Sequence, residues 1–372
     1  MAATQWLGLR RRPSAGSSPP GRRSRRRYCG PAMPAIFAVT VPFFVLMLAG
    51  WLAARQRLLP EAAIPGLNAY VLYFALPCLL LRFGINTPVL DLLNPAVLLV
   101  YVACALLVVG LTVLVSRNAR VALKDAAFGA LVAAFPNTGF MGVPLLVALL
   151  GPAAAGPVIC TVLVDLFVTS SLCIGLAQLQ GVPGGPGGPG GPGSPATPAT
   201  GGQSAGQAAW RALRGALSNP LPWAIALGAL LSAAGWRLVG PLDVVTRMLA
   251  DSASPVALFS IGAVLWRAGL QAHHRTPLVD YLPVALIKLL LHPLLVFGVG
   301  TAARGLGAPL SAFQLTVLTL AAALPSASNV ALLTERYGAD AGRVARIILA
   351  STVLAFGSFS ALAWWFGVRP VV

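Results

Sequence analysis

Apolar residues run along this chain in blocks of about twenty, divided by short polar stretches, from Met33 almost to the end. A helix of about 20 apolar residues matches the ~30 Å hydrocarbon core of a bilayer. Ten such segments are predicted as membrane helices: 34–54, 64–85, 95–116, 123–150, 156–179, 218–235, 248–266, 278–303, 309–335 and 341–366. Residues 1–32 lie outside this pattern. They are rich in Arg, Ser, Pro and Gly and are expected to form a disordered tail. Between the fifth and sixth segments stands 181–207, GVPGGPGGPGGPGSPATPATGGQSAGQ. Gly falls at a period of three through its centre, but the run is far too short for a collagen triple helix, so it reads as a flexible or semi-extended linker. The chain then divides into a first five-helix repeat, 33–180, and a second, 208–372.

Two repeats with an odd number of spans must lie in opposite orientations, and inverted repeats of this kind are a feature of transporters. Two pairs of landmarks fall in matching order. In the second segment Pro77 is followed by Gly84, and in the seventh Pro255 is followed by Gly262. The fourth segment carries Ala133-Ala134-Phe135-Pro136, and the ninth carries Ala322-Ala323-Leu324-Pro325. The predicted fold is therefore an all-α polytopic membrane protein: ten transmembrane helices as two inverted five-helix repeats, with broken, crossing helices four and nine.

Composition supports the membrane and narrows the chemistry. Charged residues make up 9% of the chain against 57% hydrophobic, with a mean hydropathy of +0.82. Soluble domains hold about 25% charged residues, so a soluble enzyme is excluded. The net charge of +17 is not a nucleic-acid signal. Eight Arg lie in the first 27 residues, and the others fall between apolar runs without interleaved aromatics. With the N-terminus outside, 12 basic residues fall in inside loops and 5 outside. That bias favours outside termini and a cytoplasmic linker. The eight tail Arg conflict with it, and a start at Met33 would remove the conflict. The tail is no signal peptide, because no apolar stretch follows its Arg cluster before Met33. Cys29, Cys78, Cys104, Cys160 and Cys173 form no CxxC pair and are expected as small packing residues. No metal or cofactor is expected, because no His, Cys and acid cluster has ligand spacing.

The sharpest candidate chemistry lies in Phe135-Pro136-Asn137-Thr138-Gly139-Phe140-Met141-Gly142-Val143-Pro144. The segment 123–150 has 28 residues, about 42 Å if wholly helical, with Pro136 at its middle. Proline lacks an N–H and clashes with the carbonyl four residues back. A break at mid-bilayer is predicted, and the freed backbone groups need partners. Asn137 and Thr138 put an amide and a hydroxyl beside it. The ninth segment repeats the arrangement with Pro325, Ser326, Ser328 and Asn329. Two such breaks would bring half-helix N-termini to one spot, which favours an anion such as a carboxylate. The plainer alternative is a proline kink with Asn137 bonded to a neighbour.

Two ionisable residues lie deep in apolar runs: Asp165 in the fifth segment, and Lys288 in the eighth, four residues before His292. An intramembrane charge costs at least about 2.5–3.5 kcal/mol on insertion scales, so it is usually paired or functional. Asp165 is a candidate for a coupling proton, and Lys288 for its counter-charge or for attracting an anion. A structural pair, or a snorkelling Lys288, is the alternative.

The run FPNTGFMGVPLL resembles the proline-asparagine-threonine crossover of the auxin efflux carrier family, which includes plant PIN carriers and bacterial malonate or malate carriers. The opening at Met33, Leu76-Pro77, the run Ser254 to Gly262, and Ala323-Leu324-Pro325 are similar to it as well. The resemblance covers about 33–367. It implies ten helices, a crossover of broken helices four and nine carrying Pro136, Asn137 and Pro325, and an elevator-like division. Helices one, two, six and seven would be the scaffold, while three to five and eight to ten would move. The linker of 27 residues stands where long plant carriers have a large cytoplasmic loop.

The function expected is secondary active transport of small organic anions, proton-coupled, by alternating access in a multi-pass protein of the cell (inner) membrane. A passive anion channel or a receptor-like membrane domain is the alternative. A membrane enzyme is disfavoured, because HExxH does not occur, the GxSxG match Gly202-Gln203-Ser204-Ala205-Gly206 lies in the Gly/Pro linker and not in a strand-to-helix turn, and no P-loop is present to drive transport with ATP. The expected partners are the bilayer, a small carboxylate and, as an assembly open to such a carrier, a second copy in a homodimer.

Overall fold

The computed structural model describes residues 33–87, 94–118, 120–179, 217, 219–271 and 276–370. The tail and the linker lie outside the described residues. Every regular element among them is helical, and seven helices are long and apolar enough to cross a membrane.

In chain order the first half holds α1 (Met33–Arg55), α2 (Ala63–Asn86), α3 (Pro95–Ser116), α4 (Leu123–Ala134), α5 (Thr138–Leu150) and α6 (Pro152–Leu179). The second holds α7 (Pro220–Ala233), α8 (Pro241–Gln271), α9 (Leu278–Gly305), α10 (Ala312–Ala322), α11 (Asn329–Arg336) and α12 (Ala341–Trp365). The fourth and ninth predicted segments are thus each broken into two pieces, α4/α5 and α10/α11, on either side of Pro136 and Pro325.

Several boundaries have visible causes. Asn94 and Asn219 cap α3 and α7 by accepting backbone N–H groups, and a proline follows each as the first helical residue. A capping box of Ser311 and Gln314 starts α10. The predicted start of the seventh segment at 248 is too late, because α8 begins at Pro241. Asp243 and Arg247 read as loop charges, yet they pair one turn apart at 2.5 Å, and Asp243 also holds Arg82 of α2 at 2.6 Å.

Leu76-Pro77 does not interrupt its helix. The helix instead widens into a π-turn over Val71–Ala75, which carries the backbone past Pro77. The same device precedes Pro144 (π-turn Thr138–Gly142) and Pro293 (π-turn Ile287–Leu291). In each case the proline is the second residue after the π-turn. The wider turn relieves the clash between the ring and the carbonyl four residues back.

Helices α1, α2, α7 and α8 pack in two pairs, α1 on α8 and α2 on α7, joined by contact between α2 and α8. The helices of each pair approach so closely that only glycine fits. A Cβ on Gly50 would lie 1.9 Å from the Phe259 carbonyl oxygen, and one on Gly262 1.8 Å from that of Met47. Gly84 and Gly228 face each other across α2 and α7 in the same way. With lipid as solvent, close van der Waals approach of small residues is the main source of helix association. Polar ties reinforce the group: Ser260 donates to Asn68 at 2.6 Å, and the Tyr70 and Ser252 hydroxyls lie 2.7 Å apart.

The remaining helices surround the crossing of α4/α5 with α10/α11. At one end of this group Arg343 of α12 is buried. It donates to the backbone carbonyls of Asp280 on α9 and Asp125 on α4, both at 2.8 Å. It therefore is not the solvated charge implied by counting it with the inside loops. Between the two groups α12 packs on α1 and α8, and the contacts include Phe356 of α12, 5.7 Å from Phe37 and 5.0 Å from Phe44 of α1.

Gly262→Ala should lower the thermal unfolding midpoint in detergent, at a cost of about 1–3 kcal/mol for overpacking. Gly298→Ala, whose Cβ would meet nothing within 4 Å, should leave the midpoint unchanged or slightly higher. Equal melting of the two variants would contradict the close approach of α1 and α8.

Candidate functional site

The two helix breaks meet. α4 ends at Ala134, Phe135 is extended, and Pro136 forms an antiparallel bridge with Ser326. Asn137 donates its N–H to the Pro325 carbonyl at 2.8 Å, and Ala327 donates to the Phe135 carbonyl at 3.0 Å. Pro136 and Ser326 thus occupy the non-hydrogen-bonded position of an antiparallel pair, where neither residue bonds the other strand. A proline is tolerated there because its missing N–H would have pointed away from the partner. The N–H of Ser326 does point away, and it is taken by the Ser351 hydroxyl of α12 at 3.2 Å. The residue before each proline avoids the helical region for steric reasons, which sets up the extended stretch.

The half-helices begin again within a few residues: α5 at Thr138 and α11 at Asn329. Among the described residues no backbone acceptor takes the N–H groups of Gly139, Phe140, Ser328 or Asn329. The side chains around them are buried and incompletely paired. Among the described residues Asn137 Oδ1, Ser326 Oγ and Asn329 Oδ1 have no hydrogen-bond partner. The hydroxyl of Thr138 reaches only the Pro136 carbonyl, at 3.5 Å. A Cβ on Gly139 would meet nothing within 4 Å, so there is room beside the break, whereas one on Gly142 would strike Leu324 of the other crossing segment at 2.6 Å. The structure brings Pro136, Asn137, Thr138, Pro325, Ser326, Ser328 and Asn329 into one place. α5 also packs against α1 and α8, so this place lies where the two helix groups meet.

Behind the crossing is a second polar cluster, and both ionisable residues singled out in the sequence belong to it. Asp165 of α6 and Lys288 of α9 are wholly buried, and each sits in a π-turn, Asp165–Thr169 and Ile287–Leu291. The Asp165 carboxylate accepts from Tyr101 of α3 at 3.3 Å and from Thr169 at 3.2 Å. Lys288 donates to the Ala322 carbonyl, in the last turn of α10, at 2.8 Å, and its Nζ lies 3.2 Å from His292 Nδ1. The charges of Asp165 and Lys288 act on each other through space, without direct ion-pair contact among the described residues. The Tyr101 and His292 rings lie 5.9 Å apart.

Three members of this arrangement were not singled out in the sequence. His292 carried a signal, since it lies four residues after Lys288 on a helix and so on the same face. Tyr101 and Ser351 sit in ordinary apolar runs, and nothing in one sequence distinguishes them from packing residues.

Comparison with known proteins identifies the family. The family model described as "Membrane transport protein" matches residues 35–181 and 207–363, which is most of the chain. A protein of Rhizobium meliloti (strain 1021) named "Putative malonate transporter" is 28% identical over 334 residues, covering 89% of this chain and 96% of that protein. The "Uncharacterized transporter YfdV" of Escherichia coli (strain K12) is 24% identical over 326 residues, 85% of this chain and 92% of that one. The chain is a multi-pass membrane transport protein and no enzyme, and it belongs to the membrane transport protein family, the auxin efflux carrier family that its crossover motif resembles.

Proposed function

We propose that this protein is a secondary active carrier of small carboxylates, coupled to protons and working by elevator-like alternating access in the cell (inner) membrane. The observation that carries the reading is the bridged crossing, where buried polar atoms and two half-helix starts surround a space without being paired to one another. Such a spot offers backbone donors and positive dipole ends to a carboxylate. The bacterial relative named for malonate points to the same class of substrate. A channel does not require paired breaks of this kind.

Ten spans result if α4/α5 and α10/α11 each count as one passage. The halves 33–180 and 208–372 are then inverted repeats. Equivalent glycines support this: Gly84 of the second span packs on the sixth, and Gly262 of the seventh packs on the first. Elevator motion is supported by where the polar ties fall. Those described above lie within the group α1, α2, α7 and α8, or within the remaining helices, while van der Waals packing, Phe356 against Phe37 and Phe44 included, joins the two. Asp165 is the proposed carrier of the coupling proton, Lys288 its counter-charge. The linker 181–207 is assigned to the cytoplasm, and the tail 1–32 is taken to be dispensable.

Asn137→Ala should weaken malonate binding by about ten- to a hundredfold, since a hydrogen bond to a charged ligand contributes about 1.5–3 kcal/mol. Asn137→Asp should bind still more weakly, because it sets a negative charge where the anion belongs. Both are read by thermal shift of the purified protein, as a ligand that binds only the native state raises its stability. If Asn137→Asp binds malonate as tightly as the wild type, the crossing is not the anion site. A chain starting at Met33 should insert, fold and take up malonate in proteoliposomes, and its failure to insert would show that the tail is needed.

A further inference from the structure

Where two broken helices cross, four half-helix ends meet. Two are N-terminal ends with partial positive charge, and two are C-terminal ends with partial negative charge. Left alone, these contributions largely offset one another at the centre. The crossing favours an anion only if something outside it neutralises the C-terminal pair.

In this chain α9 is placed to do so. Lys288 donates to the Ala322 carbonyl at the end of α10. An ammonium has no lone pair, so between Lys288 Nζ and His292 Nδ1 the lysine is the donor and the ring nitrogen the acceptor. A neutral His292 then carries its proton on Nε2. That nitrogen is the buried one without a hydrogen bond of good geometry, and the ring lies against the backbone of Ala133 in the last turn of α4. Ala133 and Ala322 hold matching places before Pro136 and Pro325. Lys288 and His292 therefore span the C-terminal ends of both broken helices from one face of α9.

We propose that Lys288 sets the sign of the crossing: its charge offsets the C-terminal ends of α4 and α10 and leaves the N-terminal ends of α5 and α11 to hold a carboxylate. This rests on the carboxylate reading above and adds the cause of its selectivity. Asp165 opposes Lys288. The titratable groups facing the pair are Tyr101 and Cys104 from α3 and His292 from α9. From the last turns of α4 and α10 the groups that face it are backbone carbonyls. An ionised Asp165 cancels the lysine's charge, and a protonated one uncovers it. The anion and a proton on Asp165 then bind together, which makes the carrier a symporter.

The test uses the full chain and three probes of similar shape: malonate, its half-amide malonamate, and the neutral diamide malonamide. Binding is measured by titration calorimetry near neutral pH. Lys288→Met should weaken binding by about tenfold per ligand charge, the effect of a unit charge over ~10 Å at an effective dielectric of ~20. Its loss should therefore be larger for malonate than for malonamate. Lys288→Arg should keep the wild-type order. Asp165→Asn should move affinity the other way, tightening malonate at alkaline pH and removing the pH dependence of binding. Equal losses for malonate and malonamate in Lys288→Met would mean a purely structural lysine and overturn the proposal. So would Asp165→Asn and Lys288→Met changing affinity in the same direction. If Lys288→Met does not yield folded protein, Lys288→Gln serves the same comparison, and the sign of the Asp165→Asn effect still decides. A wild type that binds neither acid overturns the carboxylate reading, and this inference with it.

Discussion

A backbone N–H or carbonyl left unpaired in a lipid bilayer costs several kcal/mol, and almost every feature of this protein can be traced to that penalty. Pro136 and Pro325 prevent two helices from meeting it alone. The fold answers by making each break the partner of the other, with Asn137 donating to Pro325 and Ala327 to Phe135. Neither half of the chain can satisfy its own break, so the two halves must assemble around it. The settlement is incomplete. Asn137 Oδ1, Ser326 Oγ and Asn329 Oδ1 stay buried without partners, and an unsatisfied buried group typically costs ~1–3 kcal/mol. A ligand that paired with them would recover part of that cost, which is a physical reason for a binding site to lie here.

Both helix groups combine apolar packing with polar ties, but the closest backbone approaches described above lie in the group α1, α2, α7 and α8, the proposed scaffold. Gly50, Gly262, Gly84 and Gly228 let backbones touch, and contact of that kind is lost by a shift of a fraction of an ångström. In the proposed elevator it marks the group that stays fixed. The other group adds to its apolar core a set of buried polar ties: Arg343 across α4, α9 and α12, Lys288 across α9 and α10, and Ser351 across α12 and the crossing. These ties let the group keep its shape. Phe356 against Phe37 and Phe44 offers a boundary with no directional bond between the rings to break.

Much of this was legible in the sequence, because the bilayer imposes a length on apolar segments and proline imposes a break. The apolar segments recur as helices, and the breaks fall at Pro136 and Pro325 as expected. Errors came where a charge looked like a loop. Asp243 and Arg247 lie inside α8, because together with Arg82 they neutralise one another. Arg343 is buried because two helix starts present carbonyls to it. Both depend on neighbours distant in sequence. The pairing register of the crossing was equally out of reach. The prolines say that each helix breaks, while only the tertiary structure says that Pro136 stands opposite Ser326.

The π-turns connect the fold to the proposed chemistry. Three of them precede prolines, and local sterics account for those. The fourth, Asp165–Thr169, has no such proline. In its place Ser170 donates to the Asp165 carbonyl at 2.8 Å, and Thr169 to its carboxylate. A wide turn adds a residue to the helix and rotates every later side chain about the axis, so it costs hydrogen-bond quality and changes which side chains share a face. That cost is unexplained by packing here, but it is explained if the helix must hold a carboxylate with its hydroxyl donors inside the bundle. Lys288 lies in the π-turn of α9, where Pro293 supplies the cause locally. One of the two buried charges is thus placed by a proline and the other by its own hydrogen bonds. The second arrangement is the one whose geometry depends on the carboxylate keeping its donors, as a group that gains and loses a proton requires.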